Sequence, residues 1–88
     1  MNTLRRALAH RVLHRGVVHR LAVVDISGSE IIVAPFDAET ASTPFVDGTV
    51  VVAARGCVWP HVEWPCGAAE AQLLVVPEII ESYPPVQD

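Results

Sequence analysis

Cys57, His61 and Cys66 are the residues whose types and spacing come nearest to a chemical site. They form a C-x3-H-x4-C run in which two thiolates and an imidazole could surround Zn²⁺, with Glu63 or Glu70 as a fourth ligand. Structural zinc sites are usually built from paired C-x2-C or H-x3-H clips, and the run contains neither. A Cys57–Cys66 disulfide could close across eight intervening residues, but a reducing compartment disfavours it. The simplest reading is two reduced cysteines near a core. Between them, Trp59-Pro60 and Trp64-Pro65 repeat a dipeptide at a spacing of five. Two indoles on a Pro-stiffened loop could stack on a sugar, a base or a Pro-rich peptide. The plainer alternative is that both rings close the open end of a small core.

Other candidate groups are scattered. His10, His14 and His19 lie in the first quarter of the chain. On a helix, the four-residue spacing of His10 and His14 would make a metal pair. On a strand the two share a face but stand too far apart for one ion. Ser27, Ser29, Ser42 and Ser82 have no neighbouring base, and Cys57 could reach His61 only if the loop folded back. Asp37 and Glu39 read as a solvated loop, and there is no Gly-rich phosphate loop. With no complete catalytic constellation and no resident cofactor indicated, an enzyme is not expected.

The elements that would position these residues read as strands. Ala7 to His14, Val17 to Ile26 and Glu30 to Ala34 are rich in Val, Ile and Leu, and are separated by Arg15-Gly16 and Ser27-Gly28-Ser29. Short β-branched runs bounded by Gly and Ser predict hairpin-linked strands. In the second run, alternation puts Val18, Arg20, Ala22, Val24 and Ile26 on one face and Val17, His19, Leu21, Val23 and Asp25 on the other. Neither face is cleanly polar, which suits a strand covered on both sides. A helical alternative exists over residues 4–14, where Leu4, Leu8 and Val12 are four apart, but Gly16 and the following valines oppose a long helix. Residues 35–44 read as a connecting loop, Asp47-Gly48 as a turn, Thr49 to Ala54 and Leu73 to Val76 as further strands, and 56–69 as a Pro- and Trp-containing loop. A Pro-rich tail from about residue 83 is expected to fray.

Composition sets the outer limits. Eighty-eight residues, 51% of them hydrophobic, suit one β-rich domain over 1–88 rather than a disordered chain. A chain this short buries only about 60–65% of its unfolded surface, so self-association, as a homodimer or other homo-oligomer, is an expected outlet for the surplus apolar surface. No run approaches the ~18 apolar residues needed to cross a bilayer, and no secretory pattern opens the chain. A cytoplasmic location without membrane contact follows as the expectation. Arg5, Arg6, Arg11, Arg15 and Arg20 all precede the first carboxylate, yet the net charge is −4. Without interleaved aromatics, that basic start is a poor nucleic-acid arm.

Two stretches resemble a known unit. Ala9 to Leu13, a turn, and then Leu21 to Val33, with Ser27-Gly28-Ser29 at its hairpin, resemble the opening of amidohydrolase-superfamily enzymes, where a small β-sandwich (composite) domain flanks the catalytic barrel. Pro35-Phe36, Glu39-Thr40, Thr43 to Gly48 and Val50 to Val52 are similar to small bacterial proteins that carry this unit alone. The resemblance implies the accessory fold. It implies no catalytic residues, because His61-Val62-Glu63 stands where the enzymes have an Asp-x-His-x-His metal motif, and a barrel takes at least about 200 residues.

The sequence therefore predicts an all-β fold, a small sandwich or partly open barrel of about five to seven short strands joined by hairpins. The expected role is a non-catalytic module that self-associates or binds a protein or small-molecule partner. The alternatives are zinc at Cys57, His61 and Cys66, or a ligand platform at Trp59 and Trp64.

Overall fold

A computed structural model describes residues 5–36 and 43–82; the Pro-rich tail and the Asp37/Glu39 loop lie outside them. The architecture is all-β. Five strands, β1 (Arg6–His14), β2 (Val17–Ser27), β3 (Glu30–Pro35), β4 (Phe45–Ala54) and β5 (Ala71–Val76), form one mixed sheet, and a 3-10 turn over Ala68–Glu70 leads into β5. The spatial order is β3-β2-β1-β4-β5, not closed into a barrel. β1 runs antiparallel to β2 and parallel to β4, while β2–β3 and β4–β5 are antiparallel.

Local chemistry explains the tight turns. Arg15 and Gly16 have φ of 53° and 80°, the two left-handed positions of a type I′ hairpin turn, whose twist matches that of the flanking strands. The Asp47-Gly48 pair departs from the turn that the sequence predicts. It lies inside β4, where one extra residue is accommodated between the Ala9↔Val46 and Arg11↔Thr49 pairings. Gly48, at φ 113°, permits this bulge, because a Cβ there would run into the Val76 carbonyl oxygen.

A second departure shapes the molecule. The β1–β2 ladder passes from Ala9↔Ala22 to Arg11↔Arg20 without pairing His10 to Leu21. Leu21 there has φ of 44°, a conformation that costs a leucine on the order of 1 kcal/mol or more. Alternation breaks at this point. Ala7, Ala9 and Val12 of β1 belong to one apolar cluster, Leu13 to the other. On β2, Ala22, Val24 and Ile26 join the first cluster while Val18 packs against the second, so the single apolar face expected of that strand is divided. The hairpin also doubles back. An 11-residue β2 would extend about 35 Å if straight, yet His14 and Arg15 at one end line the same cavity as Ser29 and Ile31 beyond the other.

The bent sheet thus has a concave inner face and an outer face. The inner cluster includes Ala7, Ala9, Val24, Val50, Val52 and Leu73, with Ala68 against it. The outer cluster holds Leu13, Val51, Ala53, Val76 and Ile80, packed by Cys57, Trp59, Val62 and Trp64. Among the described residues, no helix is long and apolar enough to cross a membrane.

Candidate interaction surface

The outer face is covered over only part of its length. One cover is the loop between β4 and β5. Ala54 N–H donates to the Glu63 carbonyl at 2.8 Å, Arg55 N–H to the Glu70 carbonyl at 2.8 Å, and Gln72 Nε2 to the Ala54 carbonyl at 3.1 Å. The loop reverses at a cis Trp59–Pro60 bond, where His61 N–H donates to the Val58 carbonyl at 2.8 Å. Trp59 and Trp64, each partly exposed, lie against the outer cluster.

The second cover is residues 77–82. Thr49, fully buried, donates from Oγ1 to the Glu78 carbonyl at 2.7 Å and accepts from Ile80 N–H at 2.9 Å. Ile80 thereby enters the outer cluster. Beyond it Glu81 bridges Arg11 at 2.6 Å and Arg20 at 3.8 Å. The hydrogen bond from Arg11 holds the Glu81 carboxyl below its ordinary range.

Among the described residues, neither the β4–β5 loop nor residues 77–82 reaches the half formed by the N-terminal part of β1, the C-terminal part of β2, β3 and the start of β4. Ala34, Val23, Leu8 and Phe45 make a cross-strand row over four strands. Leu8 and Val23 point away from the inner cluster and belong to neither core cluster, yet are only 9% and 6% exposed. Their neighbours are not buried: Phe45 is 53% and Ile32 46% exposed. Leu21 and Phe36, also exposed, adjoin at one end, where Phe36 N–H donates to the Leu21 carbonyl at 3.0 Å. Charged groups of both signs border the row. Arg6 pairs with Asp25 at 4.0 Å. His10 stands edge-on to Phe45, with ring centres 5.1 Å apart, and 3.8 Å from Asp47.

The residues singled out for metal chemistry are not gathered. Cys57 packs into the outer cluster and accepts from Glu63 N–H at Sγ (3.4 Å), whereas Cys66 is exposed and lines a cavity beside Ala68 of the inner cluster. His61, Glu63 and Glu70 are exposed. Among the described residues no group of three or more His, Cys, Asp or Glu could hold a metal ion. Both cysteines are free thiols; Cys57 is near the core, as the sequence suggests, and Cys66 is not. His10 and His14 do not share a face, because the break at His10 and Leu21 leaves His10 outside with Phe45 and His14 in the cavity.

Sequence reading missed the Leu8–Val23–Phe45 row. Its one signal was that neither face of the second strand is polar. Comparison with protein-family models, with curated proteins and with solved structures returned no match.

Proposed function

We propose that this protein is a non-catalytic β module that self-associates through the half of its outer face that the β4–β5 loop and residues 77–82 leave open. The observation that carries the reading is Leu8 and Val23, buried outside both cores and ringed by exposed Ile32 and Phe45. With Leu21 and Phe36 the ring exposes on the order of 400 Å² of apolar side chain, within the range of functional patches. Two copies covering it would bury ~800 Å² of apolar surface, the centre of an interface whose polar rim supplies the rest of the roughly 1,000 Å² or more that a specific contact needs. A second copy suits this patch better than an unrelated partner does. Arg6 and Asp25, each partly exposed, place one charge of each sign on it, so an isologous two-fold contact can set each cation opposite an anion of the second copy. The resemblance to the amidohydrolase accessory domain supports the same reading, a β unit with no catalytic residues. A cytoplasmic setting, where free thiols stay reduced, belongs to it as well.

The test is native mass spectrometry with sedimentation equilibrium on protein purified without chelator. The expected species is a metal-free dimer, converted to monomer by Phe45→Glu and unaffected by Val58→Glu, whose side chain is exposed but outside the row. A monomeric parent, or a dimer indifferent to Phe45→Glu, would sink the proposal. One zinc per chain, lost on Cys57→Ser, would move the function to Cys57, His61 and Cys66.

A further inference from the structure

The inner side of the molecule carries a different feature, independent of self-association. Where the bent hairpin tip meets the β2–β3 turn and the loop before the 3-10 turn, a cavity of about 200 Å³ opens. Its polar wall is His14, Arg15, Ser29 and Cys66, and its apolar wall includes Ile31 and Ala68. It is smaller than the roughly 300–1,000 Å³ of sites for drug-sized ligands, yet several times the ~30 Å³ that a water occupies in the liquid.

Two observations point to the sign of its occupant. Among the described residues no carboxylate lines the cavity, although the chain has ten and a net charge of −4. Arg6, Arg11 and Arg20 each have a carboxylate partner, whereas Arg15, like Arg5 and Arg55 elsewhere on the surface, has none among the described residues. Arg15 also sits at φ 53° in a two-residue turn, a position where Asn, Asp and Gly are the favoured residues. A chain that departs from the local preference at a cavity mouth, with an unneutralised guanidinium, has the pattern expected of a functional position. Burial first, and then the neighbouring Arg15 and His19, lower the His14 pKa.

We propose that this cavity binds a small tetrahedral oxyanion of the phosphate class, with Arg15 as its cation and His14 and Ser29 as hydrogen-bond donors. The guanidinium fork matches two oxygens of such an anion, and the imidazole N–H and the hydroxyl reach it from separate segments. The cavity admits the anion with at most a small appended group.

The test is a ¹H–¹⁵N NMR titration of the full chain with inorganic phosphate, against sodium chloride at matched ionic strength. Saturable shifts at His14, Arg15, Ser29 and Gly67 are expected with phosphate alone. Arg15→Asn installs the favoured turn residue, so the fold should be retained, and phosphate binding should weaken about ten- to hundredfold, as for loss of a charge-assisted hydrogen bond. Arg15→Gly should do the same, while Arg55→Asn, outside the cavity, should leave binding unchanged. Shifts that chloride reproduces, or an affinity unchanged in both Arg15 variants, would overturn the assignment.

Discussion

Gly48→Ala is the substitution whose cost follows most directly from the geometry. Gly48 has φ of 113° and its missing Cβ would collide with the Val76 carbonyl oxygen and lie 3.0 Å from the Pro77 carbonyl. An alanine pays about 1–2 kcal/mol for the positive φ. The collision is with backbone, so β5 must move where it meets residues 77–82. That movement strains the adjacent Thr49↔Val76 pairing and the two Thr49 Oγ1 hydrogen bonds, each contributing about 1 kcal/mol net. The total is about 3–4 kcal/mol, a large share of the roughly 4–13 kcal/mol expected for a domain this size, and corresponds to a Tm lower by roughly 15–30 °C. Gly28→Ala is the control, since Gly28 has φ of 57° but nothing within 4 Å of its Cβ position. Its conformational cost is partly offset by about 0.4–1 kcal/mol from the stiffer unfolded chain. Chemical and thermal unfolding of both variants decide the matter. If Gly48→Ala is no worse than Gly28→Ala, the close approach to Val76 does not exist in solution.

Three further outcomes are expected. Thr49→Val keeps the shape but leaves Ile80 N–H without its acceptor, costing about 1–3 kcal/mol; hydrogen exchange should show residues 78–81 losing protection before β1 and β4 do. Acid should weaken the fold in two steps. His14 has a lowered folded pKa, so stability falls as pH drops below the unfolded value near 6.5 and levels once folded His14 is protonated. Glu81, also lowered, contributes stability above the ordinary Glu range that is lost as pH falls through its folded pKa; urea midpoints against pH should show this second step flattened by Glu81→Gln. A thiol reagent under native conditions should label exposed Cys66 well before Cys57, and equal rates would contradict the packing of Cys57 on the outer cluster.

Much of the fold was legible because hairpins announce themselves locally. Arg15-Gly16 and Ser27-Gly28-Ser29 placed the ends of β1, β2 and β3 within a residue or so. The bend was illegible, because nothing marks Leu21 for a positive φ; tertiary packing of two clusters imposes it against local preference. Asp47-Gly48 misled for a related reason, since the same dipeptide serves a turn or a bulge and only the β1 partner decides. At the candidate sites, the Cys57/His61/Cys66 spacing was visible, but not that Cys57 would pack on the outer cluster while Cys66 stays exposed at the cavity. The Leu8–Val23–Phe45 row needed strand order as well as alternation, because Phe45 and Leu8 are neighbours only through a parallel pairing 37 residues apart in sequence.

That parallel pairing divides the molecule in a way its sequence order conceals. β1 to β3 form one meander from contiguous chain, and β4 with β5 form another local antiparallel pair; among the described strands the two are hydrogen-bonded along one seam, Leu8↔Phe45 to Leu13↔Val51. The seam carries the long-range register, and the Gly48 bulge fixes it, since a one-residue slip would exchange Val50 and Val51 between the two clusters. The protein is built as two halves and one joint. Separately made pieces ending after β3 and beginning before β4 should recognise each other and reassemble, and in the intact chain the late, rate-setting event of folding should be the closing of that joint.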